Sequence, residues 1–112
     1  MDPLMDALVA LAPDHDAELW EGFQRYAAAL GPILSPAQRE TYSALIRRTG
    51  TVQVFEDLAP DAMAALTPDE AAIATAIMAD QAGTMENRRV AALLSQRGIA
   101  GAALLDNRAA AE

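Results

Sequence analysis

The chain has 112 residues, a length that fits one domain and is sufficient to bury a modest hydrophobic core. Hydrophobic residues make up 53% of the sequence and aromatic residues 4%, and alanine accounts for about half of the hydrophobic total. The sequence contains eight basic residues, all arginine, and sixteen carboxylates, and the resulting net charge of −8 disfavours bulk binding to nucleic acid. The absence of cysteine excludes disulfides, thiolate metal sites and thiol nucleophiles.

The amino-terminal residues do not predict export or membrane insertion. Asp2 and Asp6 stand where a secretory signal carries basic residues, and the apolar run that follows is broken at Pro13. No uncharged apolar stretch approaches the roughly 20 residues that span a bilayer. We therefore expect a cytoplasmic protein with no membrane partner.

Proline marks the expected helix starts. A Leu-small-Pro pattern occurs four times, and each copy is predicted to open a helix because proline is tolerated at the first helical position. Ser35 with Gln38, and Thr67 with Glu70, add the spacing of a capping box, so they mark the two clearest helix starts. The four copies of the pattern lie at residues 11–13, 34–36, 58–60 and 66–68.

The spacing of apolar residues predicts helices throughout the chain. The first predicted helix spans about 14–30 and ends at Gly31, and its apolar stripe contains Trp20, Phe23 and Tyr26. A stripe of this kind is typical of a helix that anchors a core. Strand-like alternation occurs only at 51–55, where a lone strand has no partner, so a short helix is favoured there. The remaining helices are predicted at 36–49, 51–58, 61–66, 68–81 and 85–97, with a last short helix that contains Leu104 and Leu105.

These elements predict an all-α protein, a compact array of five to seven short helices in one domain. The domain covers residues 1–106, and residues 107–112 are expected to fray as a tail. The six glycines are assigned to helix ends, with Gly83 and Thr84 separating two helices near the carboxyl terminus.

Residue types suited to catalysis or metal binding do not form a recognisable site. The only histidine, His15, lies between Asp14 and Asp16, but adjacent residues on a helix point about 100 degrees apart and cannot converge on one ion. We interpret the two aspartates as helix caps and His15 as solvated. Neither a phosphate-binding glycine loop nor a nucleophile-turn motif occurs, so no enzymatic activity, cofactor or metal is predicted.

The leading hypothesis is a non-catalytic module that binds another protein, as an adaptor, accessory subunit or regulator. Short alanine-faced helices form grooves suited to a partner helix, and an acidic surface favours a basic partner. A second copy of this chain is an alternative partner. The residues predicted to make the contact, where they are exposed, are Trp20, Tyr26, Leu104 and Leu105.

Two alternatives remain open at this stage. The first is a DNA-associated regulator or packaging factor that uses a helical hairpin at 88–108, in which four of the eight arginines lie. The second is a small-molecule sensor with a pocket among Trp20, Phe23, Tyr42 and Phe55. The arginines of the first alternative are Arg88, Arg89, Arg97 and Arg108.

Overall fold

Helices account for most of the described residues, as the sequence predicts. The structure, a computed structural model, describes residues 2–52, 55 and 60–99, without the side chain of Ala62. The described residues contain helices only, so the protein is all-α, and six short helices lie within the expected number. The helices are α1 (Pro3–Leu11), α2 (Ala17–Leu30), α3 (Pro36–Thr49), α4 (Pro60–Ala64), α5 (Pro68–Met78) and α6 (Gln81–Gln96).

Both predicted capping boxes are present. The backbone N–H of Gln38 donates to Oγ of Ser35 at 3.1 Å, and Oε1 of Gln38 accepts from the Ser35 N–H at 2.9 Å. Thr67 and Glu70 repeat this exchange at the start of α5. Each box satisfies two of the N–H groups that have no partner inside the helix, which explains why these two starts are predictable from local sequence.

Two helix starts differ from the prediction. Pro13 lies in a turn and does not open α2. The helix begins at Ala17 because the side chain of Asp16 accepts a hydrogen bond from the N–H of Leu19 at 2.8 Å and so caps it. Helix α1 was not predicted, although Asp2 caps it from the position before Pro3, a combination that local sequence does indicate.

The predicted break at Gly83 and Thr84 is wrong, because α6 runs through both residues. The side chain of Asp80 caps α6 by accepting from the Gly83 N–H at 2.8 Å, and α5 has already ended at Met78. A Cβ atom at position 83 would lie 2.8 Å from Cδ1 of Ile33. This glycine therefore serves close packing and not a helix end.

The short helix predicted at 51–58 is not found where the chain is described. Thr51, Val52 and Phe55 are not helical, and the other residues of the range lie outside the described residues. All three are buried. Burial against the core, and not helix formation, thus explains the apolar character of this stretch.

Two helix pairs position the surface described below. Helix α2 packs antiparallel to α6, and α1 packs on α3. In the contact between α2 and α6, a Cβ at Gly22 would lie 2.8 Å from Cδ1 of Leu93, so a larger residue there would have to displace the buried Leu93 side chain. The fully buried core between the helices includes Leu8, Phe23 and Ile77.

Candidate partner-binding surface

The loop between α1 and α2 holds the only histidine over the start of α2. The His15 N–H donates to the carbonyl oxygen of Ala12 at 3.1 Å, which turns the chain at residues 12–15. Asp16 then caps α2, so the loop is held at both ends. These hydrogen bonds fix the position of the His15 backbone without any contribution from its side chain.

His15 is not solvated, contrary to the expectation from the sequence. Its imidazole ring stacks on the indole of Trp20 with the ring centroids 5.1 Å apart and the planes at 23°, and it lies 6.3 Å from the ring of Phe23. The Nδ1 atom is buried and makes no hydrogen bond to any described residue. His15 and Trp20 are five positions apart in sequence, and this contact arises from the loop because a regular helix does not bring such positions face to face.

Trp20 remains partly exposed and borders an open depression. It is the only tryptophan of the chain, and it packs against the core with part of its surface. The depression has a volume of about 430 Å³ and is lined by His15, Asp16, Ala17 and Trp20. We call it the Trp20 depression.

A second depression shares Asp16 with the first. It has a volume of about 350 Å³, and we call it the Ile99 depression. The apolar residues that line the Ile99 depression are Leu11, Ala12, Pro13, Leu19 and Ile99, and the charged ones are Asp14, Asp16 and Arg97.

Arg97 fastens the carboxyl end of α6 to the start of α2. Its guanidinium donates to both carboxylate oxygens of Asp16, at 2.7 and 3.1 Å, and to Oε1 of Glu18 at 2.7 Å. A fourth hydrogen bond goes to the carbonyl oxygen of Leu93 at 3.2 Å. In this set, which we call the Arg97 clasp, Asp16 and Arg97 line the Ile99 depression, and Asp16 also lines the Trp20 depression.

Hydrogen bonds shift the protonation equilibria of Asp16 and Arg97. Hydrogen bonding to Arg97, followed by the N–H of Leu19, holds the pKa of Asp16 below its ordinary value of 3.8. The hydrogen bonds that Arg97 donates to Asp16 and then to Glu18 raise the pKa of Arg97. Both changes favour the charged forms, so Asp16 and Arg97 stay ionised at neutral pH.

The chain turns sharply after α6, which brings Ile99 to the surface described here. Gly98 has a φ of 74°, the left-handed region that glycine adopts without strain. The Ile99 N–H bonds the carbonyl oxygen of Leu94 at 2.9 Å, and the Gly98 N–H bonds that of Ser95 at 3.0 Å. These two bonds form a Schellman motif, which ends α6 and directs Ile99 back toward the helix.

Tyr26, a predicted contact residue, is fully buried and is therefore not available to a partner. Its hydroxyl lies 2.6 Å from that of Tyr42 and accepts a hydrogen bond from Nδ2 of Asn87. Oδ1 of Asn87 in turn accepts from the N–H of Phe55 at 3.4 Å. Burial raises the pKa of Tyr26 well above its ordinary value of 10.0, so the phenol is neutral and structural.

The predicted arginine cluster does not form one basic face among the described residues. Arg97 belongs to the clasp, and Arg89 pairs with Glu86 at 3.6 Å. Arg88 is exposed but lies nine residues before Arg97, about half a turn away around α6 at 100 degrees per residue. The predicted contact residues Leu104 and Leu105, Arg108, and the tail at 107–112 lie outside the described residues.

The proposed small-molecule pocket is filled by its own side chains. Phe23, Tyr42 and Phe55 are all buried in the core, and the rings of Tyr42 and Phe55 lie 5.7 Å apart. Trp20, the remaining residue of the predicted set, is partly exposed and lines the Trp20 depression. Rings that pack on one another leave no room for a ligand between them.

Three further features of the described residues concern metal binding, membrane crossing and exposed hydrophobic surface. Among the described residues, no group of three or more His, Asp or Glu side chains is placed to hold a metal ion. Within the same ranges, no helix has the length and apolarity to cross a bilayer. Met85, on α6, is the one large hydrophobic residue that is strongly exposed in the described part of the chain, at 49%.

Sequence reasoning identified Trp20 but missed its surroundings. The Asp16 cap was recognisable from the aspartate before an apolar run, whereas Arg97 and Ile99 reach the site only through the packing of α6 on α2. Comparisons with protein-family models, with curated proteins and with solved structures found no match to this chain.

Proposed function

We propose that this protein is a non-catalytic module that binds a partner protein through the surface formed by the Trp20 and Ile99 depressions. The observation that carries the proposal is the partly exposed Trp20, stacked on His15 at the edge of an open depression. Tryptophan is enriched among the residues that dominate binding energy at protein interfaces.

The surface combines apolar area with a fixed framework. Leu11, Trp20 and Ile99 are each partly exposed, so they offer apolar surface for burial. Asp16 and Arg97 hold the elements below them in one arrangement. A preorganised surface loses little conformational freedom when a partner binds, which leaves more of the interaction energy for affinity.

The DNA-binding alternative has less support from the described residues. A nucleic-acid surface needs several cations that are free to replace counterions. Arg97 and Arg89 already face carboxylates of the same chain, and the net charge of the chain is −8. The protein-binding proposal needs no such cluster.

The test is affinity capture from the native lysate, followed by reconstitution with the purified partner. The captured protein is to be identified by mass spectrometry after nuclease treatment and washing at moderate salt, and its affinity measured by calorimetry. Substitution Ala17→Gln fills the Trp20 depression at an exposed helical position and is expected to weaken binding at least tenfold, a loss of about 1.4 kcal/mol.

Ala82→Gln is the matched control, because Ala82 is an exposed alanine in the first turn of α6. It is expected to leave the affinity within a factor of about two, since surface changes away from a contact have effects of a few tenths of a kcal/mol. Capture of nucleic acid alone, or equal affinities for the two variants, would contradict the proposal.

A further inference from the structure

We infer that the occupant of this surface is a basic amphipathic segment of the partner, with an arginine or lysine at the Trp20 depression and an aliphatic side chain in the Ile99 depression. The inference rests on the proposed function and adds the chemistry of the partner. It follows from three features of the surface: aromatic area, unsatisfied carboxylate capacity and an adjoining apolar depression.

The Trp20 depression matches the shape of a long basic side chain. Ala17 and the indole of Trp20 provide apolar area for the methylene stem, and Asp16 stands at the rim. Arginine and lysine characteristically bury the stem on apolar surface and keep the charged group at a polar edge. A cation beside an indole also gains from the charge distribution of the ring.

Asp14 and Asp16 retain capacity for a further cation, since both line the Ile99 depression and Asp16 also lines the Trp20 depression. Asp14 is exposed and makes no ion pair or side-chain hydrogen bond with the described residues. Asp16 is 53% exposed and accepts three hydrogen bonds, two from Arg97 and one from the Leu19 N–H, so about one of the four acceptor positions of an ionised carboxylate is left. Asp14, Asp16 and Glu18 against the single Arg97 leave two negative charges, so the local charge has the same sign as the whole chain.

The Ile99 depression supplies the apolar half of the contact. Five of its eight lining residues are apolar, and it shares Asp16 with the Trp20 depression. A partner segment that reaches both must present a basic and an aliphatic side chain close together. An amphipathic helix does so at positions three or four residues apart.

The experiment uses synthetic peptides and the fluorescence of Trp20, which is specific because the chain contains no other tryptophan. Three peptides of equal length share leucines at helical spacing and carry arginine, glutamine or glutamate at all other positions. The arginine peptide is expected to change Trp20 emission and to bind at least tenfold more tightly than the glutamate peptide, because like charges at an interface are strongly unfavourable.

Variants of the full chain locate the contact. Ala17→Gln is expected to abolish the emission change, and Asp14→Asn to weaken arginine-peptide binding about threefold, the size expected for one exposed ion pair. Asp69→Asn, which removes the same charge from an exposed position on α5, is the control and is expected to have no effect. Higher salt is expected to weaken binding by the arginine peptide.

Equal binding of the three peptides, no emission change, or a change that survives Ala17→Gln would overturn the inference. These failures differ from failure of the proposed function. A captured partner that depends on Ala17 while the arginine peptide does not bind leaves the protein-binding role in place and refutes the basic occupant. If no protein is captured but the arginine peptide still binds, the protein-binding function is refuted, whereas the inferred preference of the surface for a basic segment still holds.

Discussion

Polar residues in the core of this protein form hydrogen bonds with one another. The hydroxyl of Tyr26 lies between that of Tyr42 and the amide of Asn87, and all three residues are buried. A buried polar group that loses its partner retains the cost of desolvation, so such a cluster tolerates little change. The cluster also joins α2, α3 and α6, the helices that carry its members.

Substitution Tyr26→Phe is expected to lower the free energy of unfolding by about 1–3 kcal/mol, because it removes one hydrogen-bond partner from each of two buried groups. Urea denaturation measures the change. Thr75→Val removes a hydroxyl that bonds the carbonyl oxygen of Ala71 at an exposed position, and it is expected to change the free energy by less than about 0.5 kcal/mol. If both variants lost a similar free energy of unfolding, burial would not make the hydrogen bonds of Tyr26 more important for stability than that of an exposed hydroxyl.

The same tyrosine predicts a pH dependence at the alkaline end. Burial raises the pKa of Tyr26 in the folded state above 10.0, so the folded state holds its proton more tightly than the unfolded state. The stabilising contribution is therefore complete below pH 10 and is lost as the pH rises further. Thermal unfolding of the wild type and Tyr26→Phe between pH 8 and 11 tests this, and the wild type is expected to show the steeper decline.

At the scale of elements, the crossing of α2 and α6 depends on a glycine inside a helix. Helix interiors normally disfavour glycine by about 1 kcal/mol relative to alanine. Gly22 is retained there because Leu93 occupies the space that a side chain would need. Arg97, about one turn beyond Leu93, reaches Asp16 and Glu18 at the start of α2.

Gly22→Val is expected to destabilise the protein by about 1–3 kcal/mol through overpacking, despite the better helix propensity of valine. Ala28→Val, at an exposed position of the same helix, is expected to cost no more than about 0.7 kcal/mol, the range of ordinary propensities. Chemical denaturation of both variants gives the comparison. A Gly22→Val protein as stable as the control would mean that α2 and α6 do not pack as closely as described.

For the whole molecule, the Arg97 clasp joins segments that are 81 residues apart in sequence. It holds the end of α6 against the start of α2 and so completes the arrangement that carries both depressions. Its members are exposed enough for solvent and salt to screen them. Its main role is therefore positional.

The stabilisation from the clasp is expected to disappear in acid. Because the folded-state pKa of Asp16 lies below 3.8, the contribution is present above that pH and is lost as the pH falls through the lower value. The melting temperatures of the wild type and Arg97→Gln are expected to differ at pH 7 and to converge as the pH falls below 3.8 through the lowered pKa of Asp16. Arg25→Gln, which removes only a 4.0 Å pair with Glu21 on one helix, serves as the control without this convergence.

Local sequence determined the class of fold and the starts of α3 and α5. Ser35 and Thr67 were predictable as caps because a capping box involves only residues three positions apart. The apolar stripe of α2 was predictable because helical periodicity decides which residues share a face. The candidate role of Trp20 likewise came from its residue type and its position on that helix.

Only the tertiary structure decided which glycines end helices and which residues meet at the surface. Gly50 and Gly98 adopt positive φ at helix ends, whereas Gly22 and Gly83 lie inside helices where another side chain fills the missing Cβ space. Tyr26 is buried and Trp20 partly exposed, although the sequence placed both on one apolar stripe. A local sequence pattern depends only on residues within one or two helical turns. The roles of these glycines and the burial of these aromatic residues depend instead on contacts between helices that are distant in sequence.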